Sequence, residues 1–194
     1  RYGLLPELLH KRGFNSFGIE YNEKCVTSAN KSGFSHVYHG SIDNLATICQ
    51  KLTIQRINLV ILIDVIEHLL DPMRDFKNIS DFQQEGDRIV VTTMNAQSLG
   101  YRLFGKHWYY IHGQHTFYFT KATLQKLFGK LGYTIEAVHK VADYKGLPQT
   151  ISGFKKIKQD KLSRKGNTKQ ENKSWFAENR PHLFDVFTVV LRKR

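Results

Sequence analysis

Three residues that can do chemistry close the apolar run "LVILIDVIEHLLDP", which spans Leu59 to Pro72: Asp64, Glu67 and His68. An ionised side chain is costly to bury without a partner, so charge at the mouth of so apolar a strand faces solvent or a ligand. A histidine there can accept a proton near neutral pH. Glu67 and His68 read equally well as a brace that holds a connecting loop by hydrogen bonds. A further acid, Glu20, ends the short apolar stretch "NSFGIE" and lies 17 positions after Gly3. That is about the separation at which a nucleotide-binding fold sets an acid to accept hydrogen bonds from ribose hydroxyls. A glycine turn ahead of a helix starting at Leu4 lets backbone approach a ligand closely, with the helix N-terminus directed at it. A third group is His107, His112 and His115, close to Trp108. Three histidines suggest zinc, but their offsets of 5 and 3 residues bring in no cysteine or acid. One Glu and one His at 67 and 68 are too few ligands, so no metal site is expected. The aromatics Trp108, Tyr109, Tyr110, Phe117, Tyr118 and Phe119 read first as packing.

These residues need strands and helices to hold them. Leu4, Leu5, Leu8 and Leu9 recur at helical spacing and stop before Gly13. A strand is expected in "NSFGIE", a helix over Glu23–Ser32, a strand in "SHVYHG" and a helix over Ile42–Lys51. The continuous apolar character of "INLVILID" predicts a parallel strand buried on both faces. A helix should follow from Pro72 to about Phe82, then a turn at Glu85-Gly86 and a strand in "DRIVVTTMN". Thr120 is suited to cap a helix that runs to Leu131, with Gly132 beyond its end. "YTIEAVHKV" and "DVFTVVLRK" read as closing strands. Strands alternating with helices in this way imply an α/β domain with helices on both faces of a mostly parallel sheet. Ligands then bind at the carboxyl ends of the strands, where Glu20 and Asp64 stand.

The chain has 194 residues, 41% of them hydrophobic, which suits one domain with a sizeable core. Cys25 and Cys49 show no CxxC spacing, so they read as small apolar side chains of a reduced compartment. No stretch reaches the ~20 apolar residues of a membrane span, so a soluble, cytoplasmic protein is expected. The net charge of +12 raises nucleic acid as a partner. The basic stretch at 154–175, from Lys155 to Lys173, carries few aromatics, however, and reads as a solvated surface loop without the stacking platforms of a single-strand binder.

The segments "SFGIEYNEKCVTSANKSG", "LVILIDVIEHLLDP", "IVVTTMNAQS" and "LFGKHWYYIHGQHTFYFTKATLQKLFGKLGYTI" resemble, in order and spacing, the class I S-adenosylmethionine-dependent methyltransferases. Nearest is the broad group of ubiquinone-type O-methyltransferases and sugar- and lipid-modifying enzymes. The resemblance covers residues 1 to 141 and the last strand. It implies a Rossmann-like three-layer α/β/α fold with an antiparallel C-terminal strand, and S-adenosyl-L-methionine as cofactor. The acceptor would be a small molecule, sugar or lipid-linked intermediate. The resemblance further implies that Gly3 is the last glycine of the cofactor loop, that Glu20 binds the ribose and that Tyr21 lies beside the adenine. Gly40-Ser41-Ile42 stands where the family often has Gly-Asp before an apolar residue, so Ser41 and Ile42 depart from the adenine-binding pattern. Asp64 and Val65 would lie along the methionine moiety, with Glu67 and His68 beside the acceptor. Residues 96–120 would cover the active site, and His115 matches the family's histidine before an aromatic triplet and a Ser/Thr cap.

A nicotinamide-dependent oxidoreductase would share the logic of Glu20, but the Asp64–Pro72 block favours methyl transfer. An RNA methyltransferase and a non-catalytic module of the same fold are the other readings. The family's first strand lies centrally in its sheet and precedes the glycine loop, so this chain is expected to begin after it. Two sheet segments with unpaired edges should result. The piece alone is expected to bind S-adenosylmethionine poorly or to misfold.

Overall fold

Gly3 adopts φ 75°, ψ 7° immediately before α1 (Leu4–Lys11), a left-handed conformation that favours glycine. A Cβ at this position would lie 2.5 Å from Val37 Cγ2 and 3.2 Å from Ala29 Cβ. Packing alone therefore demands a glycine here, before any ligand is considered. The computed structural model describes residues 3–108, 110–141 and 186–194. Arg1, Tyr2, Tyr109 and the basic stretch at 154–175 lie outside the described residues.

The chain divides into two compact units, of which the first comprises Arg1–Asn58 and Asp71–Gln84. After α1 come β1 (Gly18–Glu20), α2 (Glu23–Lys31) and β2 (Val37–His39). β1 and β2 pair in parallel, Gly18 with Val37 through Glu20 with His39. Asn22 starts α2 by accepting the amide proton of Lys24 at 3.0 Å, as an N-cap does. Val26 and Ala29 of this helix bury against Val37, with Phe34 packed alongside. The expected helix over Ile42–Lys51 is split into a 3-10 turn, Ile42–Asn44, and α3 (Leu45–Lys51). The reason is a tight local cap. Ser41 Oγ accepts from the Asp43 amide at 3.2 Å, while Asn44 Oδ1 accepts from the Ser41 amide at 2.9 Å. α4 (Pro72–Ser80) begins where Asp71 Oδ1 accepts the Arg74 amide at 3.1 Å, with Pro72 in the first turn. Gln83 closes the unit by donating from Nε2 to the Ile57 carbonyl at 3.0 Å.

The second unit comprises Leu59–Leu70 and Glu85–Arg194. It holds β3 (Leu59–Ile63), β4 (Arg88–Met94), α5 (Leu99–Phe104), α6 (Lys121–Gly129), β5 (Tyr133–Val141) and β6 (Val186–Lys193). Its sheet has the order β3-β4-β6-β5. β3 runs parallel to β4, and β6 runs antiparallel to both β4 and β5. Ile89 and Val91 of β4, Val189 and Leu191 of β6, and Leu124 and Phe128 of α6 are buried. They alternate on the strands and recur at four-residue spacing on the helix, as the sequence pattern implies.

The α/β class, the parallel pairings and the antiparallel last strand agree with the sequence reading. One expectation is corrected. β3 is not buried on both faces: Leu59 is 45% exposed and Ile63 53%, because β3 is the edge of its sheet. The strands accordingly form two sheets, β1-β2 and β3-β4-β6-β5. α5 is an element the sequence reading does not include: at six residues it is too short for helical periodicity to stand out. Ser98 Oγ initiates it by accepting the Tyr101 amide at 3.0 Å.

Thr120 caps α6 reciprocally with Thr123. Thr120 Oγ1 accepts the Thr123 amide at 3.1 Å, and Thr123 Oγ1 accepts the Thr120 amide at 2.8 Å. Thr120→Ala should cost about 1 kcal/mol of stability in denaturant titrations. Gly3→Ala should cost about 1–3 kcal/mol, because it meets both the left-handed backbone and the Val37 methyl.

Candidate active site

β3 ends abruptly at Asp64, which adopts φ 53°, a left-handed conformation that Asp tolerates better than most residues. The Asp64 amide makes the last rung to β4 by donating to the Thr92 carbonyl at 3.0 Å. Val65 follows, and a 3-10 turn, Ile66–His68, comes next. Ile66 and Glu67 turn inward while His68 stays exposed.

Glu67 is 1% exposed and is held through two of its groups. Its backbone carbonyl accepts the amide protons of Thr116 at 2.8 Å and Phe117 at 3.2 Å. Its Oε2 accepts from the Thr93 hydroxyl at 2.8 Å. Oε1 is buried and has no hydrogen-bond partner among the described residues. Burial pushes the Glu67 carboxyl upward in pKa, with the nearby Asp64 charge adding to this. Its own backbone amide, the Thr93 hydroxyl and His68 oppose the rise.

The segment drawn in by the Glu67 carbonyl carries the second histidine. His68 Nδ1 lies 2.8 Å from the Gln114 carbonyl and His115 Nδ1 lies 2.8 Å from the Tyr110 carbonyl. A carbonyl oxygen only accepts, so each Nδ1 carries a proton, and Nε2 presents a lone pair whenever the ring is neutral. The His68 and His115 rings stand edge to face with centroids 4.8 Å apart, and His112 lies 3.7 Å from His115. Burial lowers the His115 pKa, with His112 and His68 contributing and the Tyr110 carbonyl opposing. These surroundings favour the neutral imidazole.

His115, distant in sequence, thus joins the neighbours Glu67 and His68 in the second unit. Sequence reading missed Thr93. Nothing in "TTM" separates it from Thr92, whose hydroxyl pairs instead with Thr188 at 2.9 Å. The packing role expected of the aromatics is met by Trp108, which is 2% exposed and lies edge to face with Tyr101 and Tyr110.

In the first unit Glu20 stands at the carboxyl end of β1, and its Oε1 accepts the Asn22 amide at 2.9 Å. Tyr21 beside it leaves its side chain 81% exposed. Its carbonyl accepts from His39 Nε2 at 3.0 Å, which fixes the backbone. A carboxylate and an open aromatic ring at the end of a parallel strand pair suit a nucleoside, the acid for a diol and the ring for a base. Ser41 spends its hydroxyl and amide on the cap of the 3-10 turn that Ile42 begins. Gly3, Glu20, Tyr21, Ser41 and Ile42 belong to the first unit, and Asp64 and Val65 to the second.

A family model described as a methyltransferase domain matches residues 1–138. A search of curated proteins returns no match. Among solved structures, the chain is similar to an S-adenosylmethionine-dependent methyltransferase from Archaeoglobus fulgidus, with a TM-score of 0.61 and 18% identity over 99% of this chain and 82% of that one. A methyltransferase from Mesorhizobium loti gives a TM-score of 0.61 and 15% identity over 99% and 87% of the two chains. Magnesium protoporphyrin IX methyltransferase from Synechocystis PCC 6803, with S-adenosylhomocysteine bound, gives 0.59 and 13% over 100% and 70%. At such identities the likeness speaks to the fold. The family match, over well more than half of the chain, speaks to membership. The chain belongs to the methyltransferase-domain family, and within it to the class I S-adenosylmethionine-dependent methyltransferases.

Proposed function

We propose that the chain methylates an oxygen of a small molecule, sugar or lipid-linked acceptor, with Glu67, His68 and His115 on the acceptor side. The observation that carries this reading is the pair of imidazoles whose Nδ1 atoms are committed to the Gln114 and Tyr110 carbonyls. Each is left with an Nε2 lone pair suited to the proton of a hydroxyl. S-adenosylmethionine, when bound, supplies an electrophilic methyl on a sulfonium. The chain's own residues do the rest. Glu20 accepts hydrogen bonds from the ribose hydroxyls, and Tyr21 lies against the adenine. Gly3 and Ile42 offer backbone to the nucleoside, and Ser41 holds the turn that presents Ile42. Asp64 and Val65 serve the methionine moiety.

With the cofactor bound, Nε2 of neutral His68 or His115 would take the proton that the acceptor hydroxyl gives up as its oxygen takes the methyl group from the sulfonium, which would leave as the neutral thioether. Such a displacement depends mainly on the alignment of oxygen, carbon and sulfur. The histidines therefore contribute less than the positioning does. Glu67 holds the loop through its carbonyl and Oε2, and Thr93 positions Glu67. Among the described residues no helix is long and apolar enough to cross a membrane, so a lipid-linked acceptor would be reached without a helical span from that part of the chain.

Calorimetry with S-adenosylmethionine and its demethylated product, followed by methyl transfer to hydroxyl-bearing small molecules, sugars and RNA, tests the assignment. Glu20→Ala should weaken cofactor binding about tenfold or more, the loss of one charge-assisted contact. Unchanged binding would remove Glu20 from the site. Methylation of RNA with a steep salt dependence would replace the small-acceptor reading. Thr93→Val should destabilise the fold by about 1–3 kcal/mol, because it removes the hydroxyl that serves a buried carboxylate. It should lower turnover while leaving the affinity for cofactor unchanged.

A further inference from the structure

β1 and β2 end side by side, with Glu20 opposite His39 in the parallel register. The Gly40 amide donates to the Glu20 carbonyl at 3.1 Å and closes the ladder. The chain then turns from β1 into α2 through a single residue, Tyr21, which precedes the Asn22 cap. Among the described residues no backbone amide donates to the Tyr21 carbonyl. The His39 side chain does so instead, from Nε2 at 3.0 Å. We infer that His39 is a positioning residue for the cofactor: by holding the Tyr21 backbone it sets the Tyr21 ring for the adenine base, and thereby raises the affinity for the nucleoside.

Three features point to this role. The first is the exposure of Tyr21, whose side chain is 81% open to solvent. Packing does little to set the direction of such a ring, so its backbone must, because backbone torsions decide which rotamers are allowed. The second is what fixes the neighbouring groups. Glu20 Oε1 accepts the Asn22 amide at 2.9 Å, and Asn22 Oδ1 accepts the Lys24 amide at 3.0 Å. Both ties span two residues and leave the Tyr21 carbonyl to His39, 18 residues away. The third is position. Glu20 and His39 are register partners, so the acid assigned to the ribose and the imidazole that holds the adenine-side residue share one end of the strand pair.

A carbonyl oxygen only accepts, so Nε2 of His39 carries a proton in either charge state, and the neutral ring leaves its lone pair on Nδ1. Holding the Tyr21 carbonyl removes conformers that ligand binding would otherwise have to freeze, and such pre-organisation appears as affinity. The bond is a single one at an exposed site, which sets the expected effect at about 3- to 10-fold. Reach decides which side chains can replace the imidazole. The amide nitrogen of a glutamine can take the place of Nε2, whereas that of an asparagine falls at the place of Nδ1 and stops short of the carbonyl. This role of His39 rests on the assignment of Glu20 and Tyr21 to the nucleoside.

The test is calorimetry of S-adenosylhomocysteine binding to the chain. His39→Ala should weaken binding about 3- to 10-fold. His39→Gln should restore it to within about twofold, and His39→Asn should bind as the alanine variant does. Tyr21→Ala keeps the carbonyl and removes the ring, so in that background His39→Ala should cost nothing further. Unchanged affinity in His39→Ala, or losses that add in the double variant, overturns the role. A glutamine variant as weak as the alanine one overturns it too, since a bond that serves only the fold gives that pattern. Imidazole nitrogen NMR of the unaltered chain, without cofactor, needs no variant. Neutral His39 should carry its proton on Nε2, and the opposite tautomer overturns the role. If Glu20→Ala weakens binding and His39→Ala does not, the role of His39 falls alone. A chain that binds neither S-adenosylmethionine nor S-adenosylhomocysteine overturns the nucleoside assignment of Glu20 and Tyr21, and the role of His39 with it.

Discussion

The two amide hydrogen bonds that Thr116 and Phe117 donate to the Glu67 carbonyl are the constraint on which the candidate active site depends. They join a loop at the end of β3 to a segment almost fifty residues later, and everything polar in the site follows from that junction. With Thr116 and Phe117 fixed, Gln114 and His115 must lie over the Ile66–His68 turn, where the Gln114 carbonyl meets His68. Trp108, buried and flanked by Tyr101 and Tyr110, anchors the far end of the segment. Its neighbour Tyr110 thereby supplies the carbonyl that orients His115. Packing and hydrogen bonding thus divide the work: the aromatics place the backbone, and the backbone carbonyls choose the imidazole tautomers.

The electrostatics follow from the same geometry. Burial disfavours charge on both Glu67 and His115, raising the carboxyl pKa and lowering that of the imidazole. The Thr93 hydroxyl relieves one carboxylate oxygen and leaves the other without a hydrogen-bond partner among the described residues. A low-dielectric setting strengthens any interaction that the remaining lone pairs make. The cost of holding an unsatisfied carboxylate oxygen is thereby tied to whatever ligand completes it.

The first unit adds short caps to its β1–β2 pairing and its Gln83–Ile57 bond. Asn22, Ser41 with Asn44, and Asp71 each start a helix or 3-10 turn, and each lies within a few residues of the groups it satisfies. The tight approach of Gly3 to Val37 and Ala29 is the long-range contact that sets the entry to α1. Tyr21, at the end of this strand pair, stays exposed beside Glu20.

The sequence by itself determined the elements and their order. Apolar runs, glycine stops and polar caps act over a few residues, so β1 to β6 and the helices other than α5 could be read locally, as could the acids at the ends of β1 and β3. The resemblance of the motifs to a known family likewise needed only order and spacing. The tertiary structure alone decided three things. It made β3 an edge strand with exposed Leu59 and Ile63, since burial of a strand depends on which strands pair with it and not on its own composition. It separated Thr93, which serves Glu67, from Thr92, which serves Thr188, because successive strand residues face opposite sides of the sheet. It brought His115 to Glu67 and His68 while leaving Oε1 orphaned. Such a convergence arises from hydrogen bonds between residues distant in sequence, and local spacing carries no trace of them.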